Sequence, residues 1–299
     1  MNSIEKKRER FAYKMIMPAI LLTTFVHIIP TIWGIYISFR KLNIYYIRKW
    51  TTAPFVGLDN YSRTMSSLSG VFWESLLYTV IFVLFSVLGC FLLGMLGAVL
   101  LNKDFKGRNL IRGILLIPYI LPGVVALTNI RFMLLQDWGI VNSLLKSLGL
   151  ISENISWLTG SMALFSIVIG NIWIRWPFWF ITLLAGLQGI SGEQYEAARV
   201  DGATPWQCWW YITMPSLKPV VVILSVLTAL WSFNNFNVPF ILTGGSPSKY
   251  ANILSINIWK RSFKNWDFGA GAAMSVVMML FMLLLIMLYI RVTRLEDDG

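Results

Sequence analysis

The chain has 299 residues, of which 57% are hydrophobic and only 13% charged, with a formal net charge of +11. Soluble domains carry about 25% charged residues, so this composition excludes an ordinary soluble globular protein. The basic excess is scattered over segments that flank apolar runs; that placement suits anionic lipid headgroups and implies a membrane-lipid partner and no nucleic acid.

Uncharged runs give the predicted elements in chain order. Lys6, Lys7, Arg8, Arg10 and Lys14 precede the first run, 15–39. That run is too long for the apolar core of a signal peptide, and no small-residue cleavage site follows it. The second run is 75–102, and Lys103, Lys106, Arg108 and Arg112 follow it. Gly89, Gly94 and Gly97 in that run allow close helix packing. The third, 113–130, contains Pro118 and Pro122, which are expected to bend it. The fourth, 154–174, resumes after Arg175 as 176–192, and 162–190 reads as one span crossed by an arginine; two short spans there are the alternative. The last runs are 219–248 and 268–290. Crossing the hydrocarbon takes roughly 20 apolar residues in a helix. The expected fold is therefore an all-α membrane protein, a single domain 1–299 with six transmembrane helices at about 15–39, 74–101, 111–135, 162–190, 219–243 and 268–291. The basic segments beside the first two spans place both termini in the cytoplasm, and with them the polar segment 191–219.

That segment, SGEQYEAARVDGATPWQCWWYITMPSLKP, reads as a helical hairpin. Ser191 and Gln194 have capping-box spacing. Gly202 stands where the first helix can stop in a left-handed cap. Thr204, Pro205 and Gln207 repeat the start signal, with proline at the first helical position. Pro215 is expected to end the second helix.

The same residues carry a resemblance. Glu196-Ala197-Ala198, Asp201-Gly202-Ala203, Ile212 and Met214-Pro215 resemble the EAA loop of ABC-importer membrane subunits, whose pattern is EAA, three residues, G, nine residues, I, one residue, LP. Met214 stands where leucine is usual. Leu242-Thr243-Gly244-Gly245-Ser246-Pro247 resembles the LTGGGP of the carbohydrate-uptake branch, with Ser246 replacing a glycine. The resemblance implies a type I importer transmembrane domain whose hairpin residues Glu193, Glu196, Ala197, Ala198, Asp201, Gly202 and Ala203 seat in an ATPase. It further implies a second permease subunit in a heterodimer, two ATP-binding subunits that hold ATP and Mg, an extracytoplasmic substrate-binding protein, and residence in the bacterial cell membrane. No cofactor is expected on this chain, which lacks a GxxxxGK[ST] phosphate loop.

No catalytic constellation appears, and the chain reads as a non-enzymatic subunit. The one histidine, His27, lies in the first span and reads as an interhelical contact, with a proton relay as the alternative. Cys90 falls in a span and Cys208 in the hairpin, which argues against a disulfide. Polar groups deep in apolar spans are the informative positions. Trp173, Arg175 and Trp176 lie in the fourth span, and Trp231, Asn234, Asn235 and Asn237 in the fifth. Amides match sugar hydroxyls and indole faces match pyranose rings, so these residues are the candidate substrate path; interhelical hydrogen bonding is the competing reading. Arg175 suits a carboxylate or phosphate, or else a partner subunit or backbone carbonyls. An ion-driven secondary carrier is the alternative function, but no carboxylate lies mid-membrane to couple the ion: Glu74 and Asp267 are at span edges.

Overall fold

The structure is a computed structural model, and it describes residues 3–66, 70–245 and 247–297. Ser246 of the LTGGSP stretch lies outside the described residues. Among those residues the fold is helical, with only the isolated bridges Arg40–Phe55 and Asn43–Asp267 in extended pairing. Helix α1 runs Ser3–Thr23, passes through a π turn at Thr24–Ile28 and continues as Ile29–Ser38. Then come α2 Asp59–Met65, α3 Val71–Asn102, α4 Arg108–Ile120, α5 Gly123–Met133, α6 Ile140–Ser147, α7 Met162–Gln188 and α8 Gly192–Val200. Helix α9 starts at Pro205–Cys208, passes a π turn at Trp209–Thr213 and runs on as Met214–Phe233. Finally there are α10 Asn237–Leu242, α11 Leu254–Trp259 and α12 Phe268–Asp297.

Two compact units make up the chain, Met1–Gly70 with Ile258–Phe281, and Val71–Asn257 with Met282–Gly299. In the first, the chain after α1 is stitched by polar contacts. Asn60 Nδ2 donates to Ser38 O (2.8 Å) and Arg40 O (2.9 Å), and Gly269 N donates to Leu42 O (2.9 Å). A Cβ at Gly269 would sit 2.9 Å from Asn60 Nδ2, so glycine is needed where this backbone closes. His27, expected as an interhelical contact, is exposed and its side chain makes no hydrogen bond among the described residues.

The second unit is built on α3 and α7. Between membrane helices there is no hydrophobic gain, so association rests on close packing and hydrogen bonds. The glycines of α3 provide the approach. A Cβ at Gly94 would lie 2.6 Å from Trp179 Cβ, and one at Gly97 would lie 3.0 Å from Phe180 Cδ2, while Gly89 faces Ile172. Trp179 and Phe180 are fully buried as a result. Contacts 89–172, 94–179 and 97–180 rise together, so α3 and α7 run parallel. Helix α9 returns antiparallel to α7: Gly186 meets Leu217, Trp179 Nε1 donates to Thr228 Oγ1 (2.8 Å), and Asn171 Nδ2 donates to Ser232 Oγ (3.0 Å). Segment 251–257 closes over the start of α3, with Leu254 N donating to Thr79 Oγ1 (2.8 Å) and Asn257 Nδ2 to Ser75 Oγ (3.1 Å).

Among the described residues five helices are long and apolar enough to cross a membrane, and α4 with α5, bent by 93° at their junction, would make a sixth if the pair is one span. The expected bend in the third apolar run falls at Pro122, while Pro118 stays inside α4: Leu121 is extended (ψ 140°) and Pro122 serves as the N-cap of α5, because the residue before a proline is driven out of the helical region. Two helix bounds are corrected. The helix expected over 219–243 starts earlier, at Pro205, and stops at Phe233, with Asn234 as its C-cap. Pro215 does not end the second hairpin helix. It falls in the first turn after the π turn, where Met214 N donates to Trp209 O; the widened turn absorbs the missing N–H and the ring.

Candidate functional site

The first candidate region is the hairpin. Ser191 is extended (ψ 131°) and its hydroxyl accepts from Glu193 N at 3.3 Å. The reciprocal bond from Gln194 expected of a capping box is absent, because Ser191 caps the second amide of the helix and not the third. The other end is a complete Schellman closure: Ala203 N donates to Ala198 O (2.8 Å) and Gly202 N to Arg199 O (3.1 Å), with Gly202 at φ +84°. Left-handed backbone favours glycine there. Thr204 then makes the full capping box with Gln207, its amide donating to Gln207 Oε1 (2.7 Å) while Gln207 N donates to Thr204 Oγ1 (3.3 Å). Tyr195 and Thr213 hydroxyls meet at 2.8 Å and tie the two helices. A cavity of ≈ 540 Å³ opens beside this tie, lined by Tyr195, Arg199, Ala203, Pro205, Cys208, Trp209 and Thr213.

Of the motif residues, Glu193, Glu196, Ala197, Asp201 and Gly202 are exposed, and Ala198 and Ala203 half-buried. The hairpin also exposes large apolar side chains the motif does not name: Val200 (88%), Tyr211 (80%) and Trp206 (69%), the last with its ring edge-to-face on Trp210 at 5.6 Å. Four aromatics in the run WQCWWY are the available signal, since charged-helix periodicity alone does not find them.

The second region lies where α9 breaks. Asn171 on α7 is its hub. Its Oδ1 accepts from Arg175 Nε (2.9 Å) and from Asn235 Nδ2 (2.9 Å), and its Nδ2 donates to Ser232 Oγ. Asn235 Oδ1 accepts from Val238 N (3.0 Å) and so caps α10. The Arg175 guanidinium carbon lies 5.4 Å from the Trp231 ring centroid, Trp231 is 5.7 Å from Phe178, and Phe178 stacks on Tyr119 at 5.9 Å. The structure thus brings Arg175, Trp231 and Asn235 together. It does not bring Trp173 or Trp176 to them: Trp176 packs on Phe180 and faces Gly97 of α3, and Trp173 is half-buried without a ring partner among the described residues. Asn234 is exposed and reaches Met282 Sδ at 3.1 Å. Asn237 is exposed and its side chain makes no hydrogen bond among the described residues. Asn171 stands four residues from Arg175 and therefore on its face of the helix, a spacing that is the sequence's signal for this hub.

The profile described as "Binding-protein-dependent transport system inner membrane component" matches residues 90–295. The chain belongs to that family. Over 298 residues, 99% of this chain and 98% of the relative, it is 32% identical to the trehalose/maltose transport system permease protein MalF of Thermococcus litoralis. It is 31% identical over 287 residues (96% and 91%) to the sulfoquinovosyl glycerol transport system permease protein SmoG of Agrobacterium fabrum. A crystal structure of a bacterial ABC transporter involved in the import of the acidic polysaccharide alginate superposes with a TM-score of 0.81 at 23% identity, covering 97% of each chain. The last likeness establishes the fold. Membership makes this chain a multi-pass inner-membrane transport component, as its apolar helices require.

Proposed function

We propose that this chain is the permease subunit of a binding-protein-dependent, ATP-driven importer of a carbohydrate, with 191–219 as the loop that couples it to its ATPases. The observation that carries the coupling role is mechanical. The second hairpin helix and the fifth span are one helix, α9, from Pro205 to Phe233. The first hairpin helix is locked to it by the Gly202 turn and the Tyr195–Thr213 bond. A displacement applied to the exposed face of Glu193, Glu196 and Val200 is therefore delivered to the polar cluster at the far end of α9 through one continuous helix.

In this reading ATP and Mg bind two partner ATPases, whose closure moves the docked hairpins of this chain and of a second, similar permease. The spans then rock about the Arg175–Trp231–Asn234 region, alternately opening it to the binding protein and to the cytoplasm. The carbohydrate assignment draws support from the relatives named for sugar transport and from the exposed Asn234 and the exposed Trp231 indole where α9 ends. The test is binding-protein-stimulated ATPase activity in the reconstituted complex. Gly202→Val forces a branched side chain into left-handed backbone, about 1–2 kcal/mol unfavourable, and it and Glu196→Lys should each abolish the stimulation while the permease pair still assembles. Unchanged stimulation in both variants would refute the coupling role.

A further inference from the structure

We propose that Arg175 receives an anionic group of the transported sugar, a carboxylate or sulfonate, so that acidic saccharides are the substrate class; this rests on the reading of the Arg175–Trp231 region as the substrate path. The guanidinium is held in place but left half-used. Its Nε is fixed on Asn171 Oδ1, and Asn171 is itself fixed by Ser232 and Asn235. Its two terminal nitrogens make no hydrogen bond among the described residues. No carboxylate neutralises it: the ion pairs of the described residues do not include Arg175, and α7 contains no Asp or Glu. The nearest acidic residue beyond the C-terminal end of α7 is Glu193, 18 residues on and so about 27 Å away along a helix. Helix α9 has no acidic residue either.

A positive charge inside a membrane protein without a counter-ion is costly and marks a pathway or a partner. Here the free side of the fork presents two parallel donors, the geometry that matches a carboxylate bidentately. A neutral sugar needs only the amides and the indole, and it leaves this charge unmatched. Beside the fork, Trp231 is 40% exposed. In a uronic acid the carboxylate sits directly on the pyranose ring, so one sugar unit can meet indole and fork together.

The experiment uses the whole complex in proteoliposomes with its cognate binding protein, and trigalacturonate and maltotriose as probes. The expected result is that the binding protein takes trigalacturonate in preference to maltotriose, that Arg175→Met lowers its uptake more than tenfold, and that Arg175→Lys restores part of it. Uptake of maltotriose alone would overturn the acidic class and leave the carbohydrate reading standing. A binding protein that takes no member of a wider panel of neutral, uronic and sulfonated sugars would overturn the carbohydrate reading itself. Equal trigalacturonate uptake by wild type and Arg175→Met would overturn the role of Arg175 and assign its charge to the partner permease. Should Arg175→Met fail to assemble, the KM of Arg175→Lys decides: a rise of at least threefold supports the proposal, and an unchanged value overturns it.

Discussion

Asn235 shows how burial changes the meaning of a polar residue. In the sequence it is one of three asparagines beside a tryptophan, and amides in that setting read as sugar ligands. In the fold it is 9% exposed, with its amide nitrogen on Asn171 and its oxygen on Val238 N. Both ends are consumed in holding the break between α9 and α10 against α7. Removing one partner of a buried hydrogen bond leaves the other unsatisfied, at about 1–3 kcal/mol. Asn235→Ala should therefore lower the thermal stability of the detergent-solubilised permease pair, whereas Asn237→Ala, at an exposed position with no such bond, should leave it within about 0.5 kcal/mol. Thermal unfolding of the two variants side by side measures this, and the reverse order would return Asn235 to the list of open path residues. The polar cluster was legible because buried amides in a span are rare; which member faces outward was not, because that depends on where α9 stops.

The elements show the same division. Gly202, Thr204 and Gln207 were readable because turns and caps are local: the residue that tolerates positive φ and the pair that satisfies free amides lie within a few positions of each other. Pro215 misleads for the complementary reason. A proline's local signal is a stop, but whether it stops a helix depends on the preceding turn, and here a π turn at Trp209–Thr213 accommodates it. The consequence is a continuous lever where the sequence suggested a joint. Inserting Gly-Gly after Ser216 would add a flexible joint to that lever, with each glycine about 1 kcal/mol less favourable in a helix than alanine. The expected outcome is a complex that assembles and hydrolyses ATP but no longer couples hydrolysis to uptake. The ratio of sugar imported to ATP hydrolysed is the measurement, and an unchanged ratio would mean that α9 does not transmit the movement.

For the whole molecule, the deciding question is whether the broken pair α4–α5 crosses the membrane or dips in and returns. Every later segment changes sides with the answer. Helix α4 has 13 residues and α5 has 11, so at 1.5 Å per residue they are about 20 and 17 Å long. Neither spans a hydrocarbon core of about 30 Å; joined at 93° their ends lie roughly 26 Å apart, nearly a full crossing when both arms tilt. The helix register bears on the direction. Since α3 and α7 are parallel, with Gly94 against Trp179 and Gly97 against Phe180, segment 103–161 carries the chain back across the membrane if both helices are complete crossings. Residues 103–107 then share a side with the hairpin, and 134–161 share the opposite side with 243–253. With the N-terminal basic cluster inside, cysteines placed at Lys106 and Glu193 in a chain lacking Cys90 and Cys208 should be protected from an impermeant thiol reagent in intact cells. Cysteines at Glu153 and Lys249 should be labelled. Labelling at 106 and 193 with protection at 153 and 249 would invert the orientation and put the hairpin out of reach of any cytoplasmic ATPase. Protection at 106 and 153 with labelling at 193 would mean instead that α4–α5 is re-entrant, and the parallel packing of α3 on α7 could not then be that of two complete spans.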